Sequence, residues 1–108
     1  MKAYAKNIRI SPKKLNVIAT IIRKMEAKKA LDVLKFMPKK GAGLLYKTLN
    51  SAVANAKNND SQELANLKVD TLIVSKGAVY KRGNPISRGR SHSILKRCSN
   101  VLLELKVK

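Results

Sequence analysis

Residues 77–100 read GAVYKRGNPISRGRSHSILKRCSN, and they separate two segments in which apolar and polar residues alternate. Alternation with a period of two is typical of a half-buried strand. The first segment, residues 67–76, places Val69, Thr71 and Ile73 on one side. In the second segment, residues 101–108, one set of alternate positions is Val101, Leu103, Leu105 and Val107. The pattern predicts two strands joined by a long connection.

Turn-forming residues lie near the middle of this connection, at Gly83, Asn84, Pro85 and Gly89. They predict a long β-hairpin over about residues 77–100, with its tip near residues 85–89. Such a ribbon has few apolar side chains to pack against itself, and an isolated two-stranded ribbon is marginally stable in water. We therefore expect it to be ordered only when it is bound to a partner.

The N-terminal segment predicts a strand followed by a helix. Residues 5–10 have a strand pattern with Ile8 and Ile10 on one face. Ser11 and Pro12 are favoured at an N-cap and at a first helical position, so the first helix is predicted to begin at about Pro12. Its apolar stripe is predicted to contain Leu15, Ile18, Ala19, Ile22 and Met25, broadened by Val17 and Ile21.

Two further helices are predicted before residue 60. The second runs from Ala27 to about Phe36. Pro38 breaks the pattern and is predicted to begin the third helix, which runs to about Lys57. The core stripe of the third helix is predicted to be Leu45, Leu49, Ala52, Val53 and Ala56. A chain of 108 residues accommodates these elements in one domain.

The chain carries 24 Lys and Arg against 6 Asp and Glu, a formal net charge of +18. Self-repulsion on this scale indicates a polyanionic partner, either nucleic acid or an anionic membrane surface. Hydrophobic residues make up 44% of the chain, so the charge belongs to a sequence that can fold. No stretch resembles a secretory leader or a membrane span, and we expect neither secretion nor membrane insertion.

Catalytic and metal-binding chemistry has no visible basis in the sequence. The six acidic residues are scattered without paired-carboxylate or Ser/His/acid spacing, so we do not expect an enzyme. The chain has one Cys and one His, which excludes an internal disulfide and a zinc site, and we expect no cofactor and no metal. We interpret His92 as a polar ribbon residue or an RNA contact, and Cys98 as a small, semi-buried strand residue. Four aromatic residues and no Trp supply few stacking platforms, which favours binding to the backbone of structured nucleic acid.

The positive charge is concentrated at the two ends of the chain. Residues 1–40 carry twelve basic and two acidic side chains, residues 41–75 three and three, and residues 76–108 nine and one. We expect the two basic segments to converge on one binding surface. Four of the six Arg belong to the ribbon, and Arg suits planar phosphate contacts and stacking on bases. The ribbon is therefore predicted to insert into folded RNA.

The predicted RNA-binding residues are Arg9, Lys13, Lys14, Lys39, Lys40, Lys81, Arg82, Arg88, Arg90, Lys96 and Arg97. The predicted ribbon tip consists of Gly83, Asn84, Pro85, Ile86, Ser87, Arg88, Gly89 and Arg90. Glycine at two of these tip positions would allow the backbone to approach RNA closely.

Several groups of residues resemble one known family. They are residues 9–14 (RISPKK), residues 30–36, Pro38, Lys39, Lys40, residues 50–56 (NSAVANA), and the ribbon residues Lys81, Arg82, Pro85, Gly89, Arg90, Ile94, Lys96, Arg97 and Ser99. On these motifs the chain resembles the bacterial-type large-subunit ribosomal protein L-twenty-two family along essentially its whole length. The ribbon of this chain offers fewer Arg than is typical of that family.

The resemblance implies an α+β fold, with three helices packed on a small antiparallel three-stranded sheet and a long protruding β-hairpin. It implies a single rRNA-binding domain over residues 1–108, acting as a structural constituent of the large ribosomal subunit. In that role the chain would bind 23S rRNA, support subunit assembly, and line the nascent-peptide exit tunnel with its hairpin.

The implied partners are 23S rRNA, neighbouring large-subunit ribosomal proteins and, at the hairpin tip, the nascent polypeptide. No membrane and no homo-oligomer are implied. The implied location is a cytoplasmic ribosome, and an organelle-encoded ribosome stays open. Two other classes stay open on charge alone: a non-specific double-stranded DNA-binding protein of the nucleoid type, and a membrane-active cationic protein. The lack of an obvious helix-turn-helix or dimer zipper disfavours the DNA binder.

Overall fold

The computed structural model describes residues 1–85, 87–89 and 91–107, without the side chains of residues 87, 91 and 92. Within these residues the elements are β1 (Lys2–Ile8), α1 (Pro12–Ile22), α2 (Ala27–Phe36), α3 (Lys40–Asn59), β2 (Leu67–Pro85) and β3 (Ser91–Val107), with short 3-10 turns at Leu64–Asn66 and Ser87–Gly89. Three helices on an antiparallel three-stranded sheet confirm the predicted α+β class.

The core lies between the helices and one face of the sheet. The strand order is β1-β3-β2, so β3 is central and pairs with a strand on each side. Leu103 is fully buried and lies opposite Ala3 on one side and Leu72 on the other. The helices contribute the buried residues Leu15, Ile18, Ala19, Ile22, Ala27, Ala30, Leu34, Leu45, Leu49, Ala52 and Ala56. These positions recur at helical spacing, as an amphipathic stripe requires.

β2 and β3 continue beyond the sheet as a two-stranded ribbon. Its pairing runs from Val79 opposite Arg97 to Pro85 opposite Ser91. The long axis of the molecule is 62 Å, against 25 and 16 Å for the other two. The predicted hairpin is confirmed, and its turn, Ser87–Gly89, lies within the predicted tip, whereas Gly83, Asn84 and Pro85 are paired residues of β2. Ile86 and Arg90, which were predicted for the tip, lie outside the described residues.

The tip turn uses the left-handed region of backbone conformation. Gly89 has φ +71°, which costs glycine little, and Arg88 has φ 60°. Both residues lie in the short 3-10 turn between the two long strands. The turn residues in the sequence therefore mark the point where the chain reverses.

The prediction that Ile73 shares one face of β2 with Val69 is wrong. Ile73 is 49% exposed, whereas Leu72 is buried. Val69 pairs with Leu105, but Thr71 pairs with Glu104, so Asp70 is an extra residue in β2. A bulge of this kind reverses which side chains face the core beyond it. Alternation in sequence does not reveal the insertion, because a bulged residue occupies one position like any other.

Three predicted boundaries differ from the observed ones. β1 covers Lys2–Ile8 instead of residues 5–10, and Asn7, with φ 52°, lies where the pairing with β3 is irregular, between Ala5 and Ile8. α3 begins at Lys40, not at Pro38, because Lys39 is still extended and serves as the N-cap. α3 also continues to Asn59, two residues beyond the predicted end.

The apolar stripe of α1 is narrower than predicted. Val17 and Ile21 are 62% and 46% exposed, because α1 packs on the core through its Leu15 and Ile18 face only. Met25 follows the end of α1 and is partly buried. At the other end of the chain, Val107 is 46% exposed as the last residue of β3.

Candidate nucleic-acid interface

The turn between β1 and α1 brings cations to a helix N-terminus. Ser11 is the N-cap of α1, and its hydroxyl accepts a hydrogen bond from the Lys14 backbone N–H at 3.5 Å. Pro12 follows as the first helical residue. The first turn then carries Lys13 and Lys14 and no acidic residue. Because a helix N-terminus is already partly positive, this arrangement disfavours the free helix and favours a bound anion.

Lysines also lie at the starts of the other two helices of residues 1–85. α3 has Lys39 as its N-cap, without a capping hydrogen bond from the side chain, and Lys40 as its first residue. α2 has Lys28 and Lys29 in its first turn, again without an acidic residue. The starts of α1 and α3 therefore present lysine where an isolated domain would favour Asp or Glu, whereas α2 has Glu26 as its N-cap.

Hydrogen bonds tie the base of the ribbon to the start of two helices. An Arg9 guanidinium nitrogen donates to the Arg97 carbonyl oxygen at 2.6 Å. The Lys40 ammonium donates to the Arg9 carbonyl oxygen at 2.9 Å. Arg9 is thus adjacent to Arg97, 88 positions away in sequence, and to Lys40, 31 positions away. The charges of these three residues lie on one surface.

Three neighbouring grooves surround this point. The first, of about 350 Å³, is lined by Arg9, Ile10, Ser11, Lys14, Lys40, Leu95 and Arg97. The second, of about 480 Å³, is lined by Ser11, Pro12, Lys13, Lys76, Gly77, Val79, Arg97 and Cys98. The third, of about 390 Å³, is lined by Ile10, Lys14, Val17, Ile18, Lys39, Lys40 and Gly41. Shared lining residues make them one continuous basic surface.

We call this surface the basic collar, and define it as Arg9, Lys13, Lys14, Lys39, Lys40, Lys76 and Arg97. Six of its seven members were predicted from the sequence as RNA-binding residues. Lys76 was missed, although its place one residue before Gly77 puts it at the start of the ribbon and could have signalled it.

The other predicted residues lie along the ribbon, away from the collar. Lys81 and Arg82 are on β2, Lys96 is on β3, and Arg88 is in the tip turn. All four side chains are exposed. The Arg82 guanidinium lies 5.7 Å from the centroid of the Tyr80 ring. The collar and the ribbon therefore form a continuous basic strip along the molecule.

Acidic residues cluster at the opposite end of the sheet. Three ion pairs form there among the described residues, joining the N-terminal ammonium to Asp60 at 3.6 Å, Lys2 to Glu104 at 3.4 Å, and Lys106 to Asp70 at 3.3 Å. None of these pairs involves a collar residue. The molecule therefore has a charge-balanced end and a strongly cationic end, and the cationic end carries the ribbon.

Outside this surface, the described part of the chain offers little for chemistry. It contains no group of three or more His, Cys, Asp or Glu side chains that could hold a metal ion. Cys98 is a free thiol and is buried in β3, which agrees with the predicted role of a small strand residue. Among the described helices, none is long and apolar enough to cross a membrane.

Comparison with known proteins assigns the family. The family model described as ribosomal protein L22p/L17e matches residues 3–106, nearly the whole chain. The chain belongs to this family. As a member of the L22p/L17e family it is a ribosomal protein and a structural constituent, not an enzyme.

Individual members of the L22p/L17e family are similar over most of their length. The chain is 46% identical over 100 residues to large ribosomal subunit protein uL22 of Finegoldia magna, covering 93% of this chain and 89% of that one. It is 40% identical over 104 residues to the uL22 protein of Desulfotalea psychrophila, with 96% and 94% covered. The uL22 protein of Metamycoplasma hominis is 44% identical over 97 residues, with 90% and 75% covered.

Proposed function

We propose that this chain binds 23S rRNA as part of the large ribosomal subunit, with the basic collar on the RNA backbone and the ribbon inserted into folded RNA. One observation carries the proposal: the tertiary structure gathers cations from both ends of the sequence around the base of a protruding basic ribbon. The names of the relatives, large ribosomal subunit protein uL22, support the same assignment.

The collar suits phosphate for two physical reasons. Its cations displace the counterions condensed on RNA, which supplies sequence-independent affinity. It also includes the starts of α1 and α3, where backbone N–H groups and the helix dipole favour anions. Lysines that destabilise the free protein at these positions become favourable once phosphates lie beside them.

The ribbon suits insertion because it lacks a core of its own. Val79 and Tyr80 on β2 and Ile94 and Leu95 on β3 are 36% to 45% exposed. Exposed apolar side chains among Lys and Arg fit a folded RNA, which offers base faces as well as phosphates. We propose that the ribbon becomes ordered as it enters the RNA, and that this step supports assembly of the subunit.

The remaining partners are proposed from the family resemblance. The ribbon tip would line the exit tunnel and contact the nascent polypeptide, and the domain would contact neighbouring large-subunit proteins. We propose that residues 1–108 act as one rRNA-binding domain in the ribosome of a cytoplasm or an organelle. We propose no membrane partner and no homo-oligomer.

Binding of the purified chain to 23S rRNA, measured against salt concentration, tests the proposal. We expect a linear fall of log affinity with log salt, and tighter binding to 23S rRNA than to double-stranded DNA of equal length. In cells, the protein should sediment with large ribosomal subunits at moderate salt. Equal affinity for the two nucleic acids, together with a ribosome-free pool in cells, would support the nucleoid-type alternative.

A further inference from the structure

Phe36, the last residue of α2, is 79% exposed, more than any other large apolar side chain in the described part of the chain. Its exposure follows from the helix geometry. α2 packs on the core through Ala27, Ala30 and Leu34, and a residue two positions after Leu34 points to the far side of the helix. A single exposed apolar side chain is ordinary on a protein surface, so the argument for a partner depends on what surrounds the ring.

The surroundings of the Phe36 ring are cationic. The Lys35 ammonium lies 5.7 Å from the ring centroid. The lysine therefore covers one face of the ring and leaves the other face available. The collar residues Lys39 and Lys40 follow within four positions, after a short connector. Asp32, one helical turn earlier, is the acidic residue nearest in sequence. The Phe36 ring therefore belongs to the segment of chain that leads directly into the basic collar.

The other aromatic residues are placed differently. Tyr46 packs against the core and is partly buried. Tyr4 lies in β1, in the sheet end that carries the ion pairs, with Lys6 5.4 Å from its ring centroid. Tyr80 lies in the ribbon, with Arg82 beside its ring. Phe36 is the aromatic residue outside the ribbon that lies nearest in sequence to collar residues, three positions before Lys39.

We propose that Phe36 stacks on an unpaired base of the RNA that the collar binds, while Lys35, Lys39 and Lys40 contact the adjoining phosphates. The inference rests on the proposed RNA-binding function and extends it from the backbone to a base. A nucleotide combines an apolar ring face with an anionic backbone, which matches an exposed ring among lysines. An apolar pocket of a neighbouring protein fits less well, because lysine is depleted at protein interfaces.

Affinity measurements with two polyanions separate stacking from charge. The probes are transcribed 23S rRNA, which has bases, and heparin, which has none. We expect Phe36→Ala to weaken binding to 23S rRNA roughly five-fold or more, in the range measured for single base stacks, and to leave heparin binding unchanged. Ile21→Ala, which removes an exposed apolar side chain from the far half of α1, is the matched control and should change neither affinity.

A spectroscopic measurement tests the contact directly. The chain has no Trp, so Phe36→Trp introduces a single tryptophan at the proposed site, and its emission can be excited apart from that of the three tyrosines. Saturation with 23S rRNA should quench its emission, and saturation with heparin should not. Phe36→Trp should also retain the rRNA affinity that Phe36→Ala loses, because indole stacks at least as well as a phenyl ring.

The outcomes distinguish this inference from the broader function. If the unsubstituted chain prefers 23S rRNA over heparin while Phe36→Ala binds rRNA equally well and Phe36→Trp is not quenched, the stacking inference is wrong and the proposed function stands. A chain that binds 23S rRNA no better than double-stranded DNA overturns both. Equal losses for Phe36→Ala with rRNA and with heparin would show a general effect on the collar, and would also overturn stacking.

Discussion

The Asn7 side-chain oxygen accepts a hydrogen bond from the Ala78 backbone N–H at 3.1 Å, across 71 positions of sequence. The Asn7 backbone N–H in turn donates to the Asn100 side-chain oxygen at 2.9 Å. The pairing register with β3 shifts between Ala5 and Ile8 in β1 and between Lys76 and Val79 in β2. The regular backbone hydrogen bonds between strands are therefore interrupted where the sheet ends and the ribbon begins. Asn7 and Asn100 therefore replace them and hold the base of the ribbon against the N-terminal strand.

Replacing Asn7 should destabilise this junction. Asn7→Ala removes the acceptor for Ala78 and also places alanine at φ 52°, where asparagine is tolerated better. We expect a loss of about 1–3 kcal/mol in the free energy of unfolding, measured by urea titration. Asn7→Gly is the control, because it relieves the backbone cost and should lose less. An unchanged midpoint for Asn7→Ala would mean that the junction does not depend on this side chain.

Two glycine substitutions should have opposite effects on stability. A Cβ at Gly77 would lie 2.9 Å from the Asn7 side-chain oxygen and 3.3 Å from the Cys98 backbone, so Gly77→Ala should destabilise the protein by about 1–3 kcal/mol. A Cβ at Gly43, inside α3, would meet nothing within 4 Å. Gly43→Ala should therefore stabilise by about 0.5–1 kcal/mol through helix propensity. Thermal unfolding should show a lower midpoint temperature for Gly77→Ala and a higher one for Gly43→Ala. Stabilisation by Gly77→Ala would contradict the packing at the junction.

Lys14 should show a trade-off between stability and binding. It is the third residue of α1 after the Ser11 cap, where Glu would complete a capping box and favour the helix dipole. Lys14→Glu should stabilise the free protein by about 0.5–1 kcal/mol and weaken its binding to 23S rRNA. Lys14→Gln, which is neutral, should weaken binding less. Unfolding and filter-binding assays on the same preparations give both quantities, and tighter rRNA binding by Lys14→Glu would exclude Lys14 from the interface.

Arg97 should matter more for RNA binding than a lysine outside the collar. Its side chain lines two of the three grooves, whereas Lys57 lies in the last turn of α3, within the charge-balanced segment 41–75. Arg97→Ala should lower rRNA affinity and reduce the salt slope by roughly 0.7–0.9 for each phosphate that the protein no longer neutralises. Lys57→Ala should change neither quantity. Equal effects of the two substitutions would show that the collar is not the binding surface.

A partly buried hydrogen bond links the ribbon base to the turn before the first helix. Ser99 is fully buried, and its hydroxyl donates to the Ile10 carbonyl oxygen at 2.7 Å. Ser99→Ala should cost about 1–3 kcal/mol of stability, because the Ile10 carbonyl would lose its partner in a partly buried site. Thr20→Ala is a suitable control, since the Thr20 hydroxyl donates to Asn16 at the exposed surface. Urea titration measures both variants. An unfolding midpoint for Ser99→Ala equal to that of Thr20→Ala would argue against this link.

Local signals in the sequence were enough for several elements. α1 begins at Pro12 and α2 spans Ala27–Phe36 as predicted, because caps, proline and helical spacing act within a few residues. The tip of the ribbon follows from its turn residues in the same way. The exposure of Val17 and of Ile73 was not predictable locally, since the first depends on which elements cover α1 and the second on a bulge at Asp70.

The amino-acid sequence alone predicted the helices, the strands and the long hairpin, and it showed the net positive charge and the concentration of Arg in that hairpin, because each depends on composition or on short-range pattern. The tertiary structure decided where the charges meet. Arg9, Lys40 and Arg97 come together only through the packing of α1 and α3 beside the end of the sheet. The direction of the ribbon likewise depends on Asn7 reaching Ala78, because contacts between distant segments are set by strand register and helix packing, which no local pattern encodes.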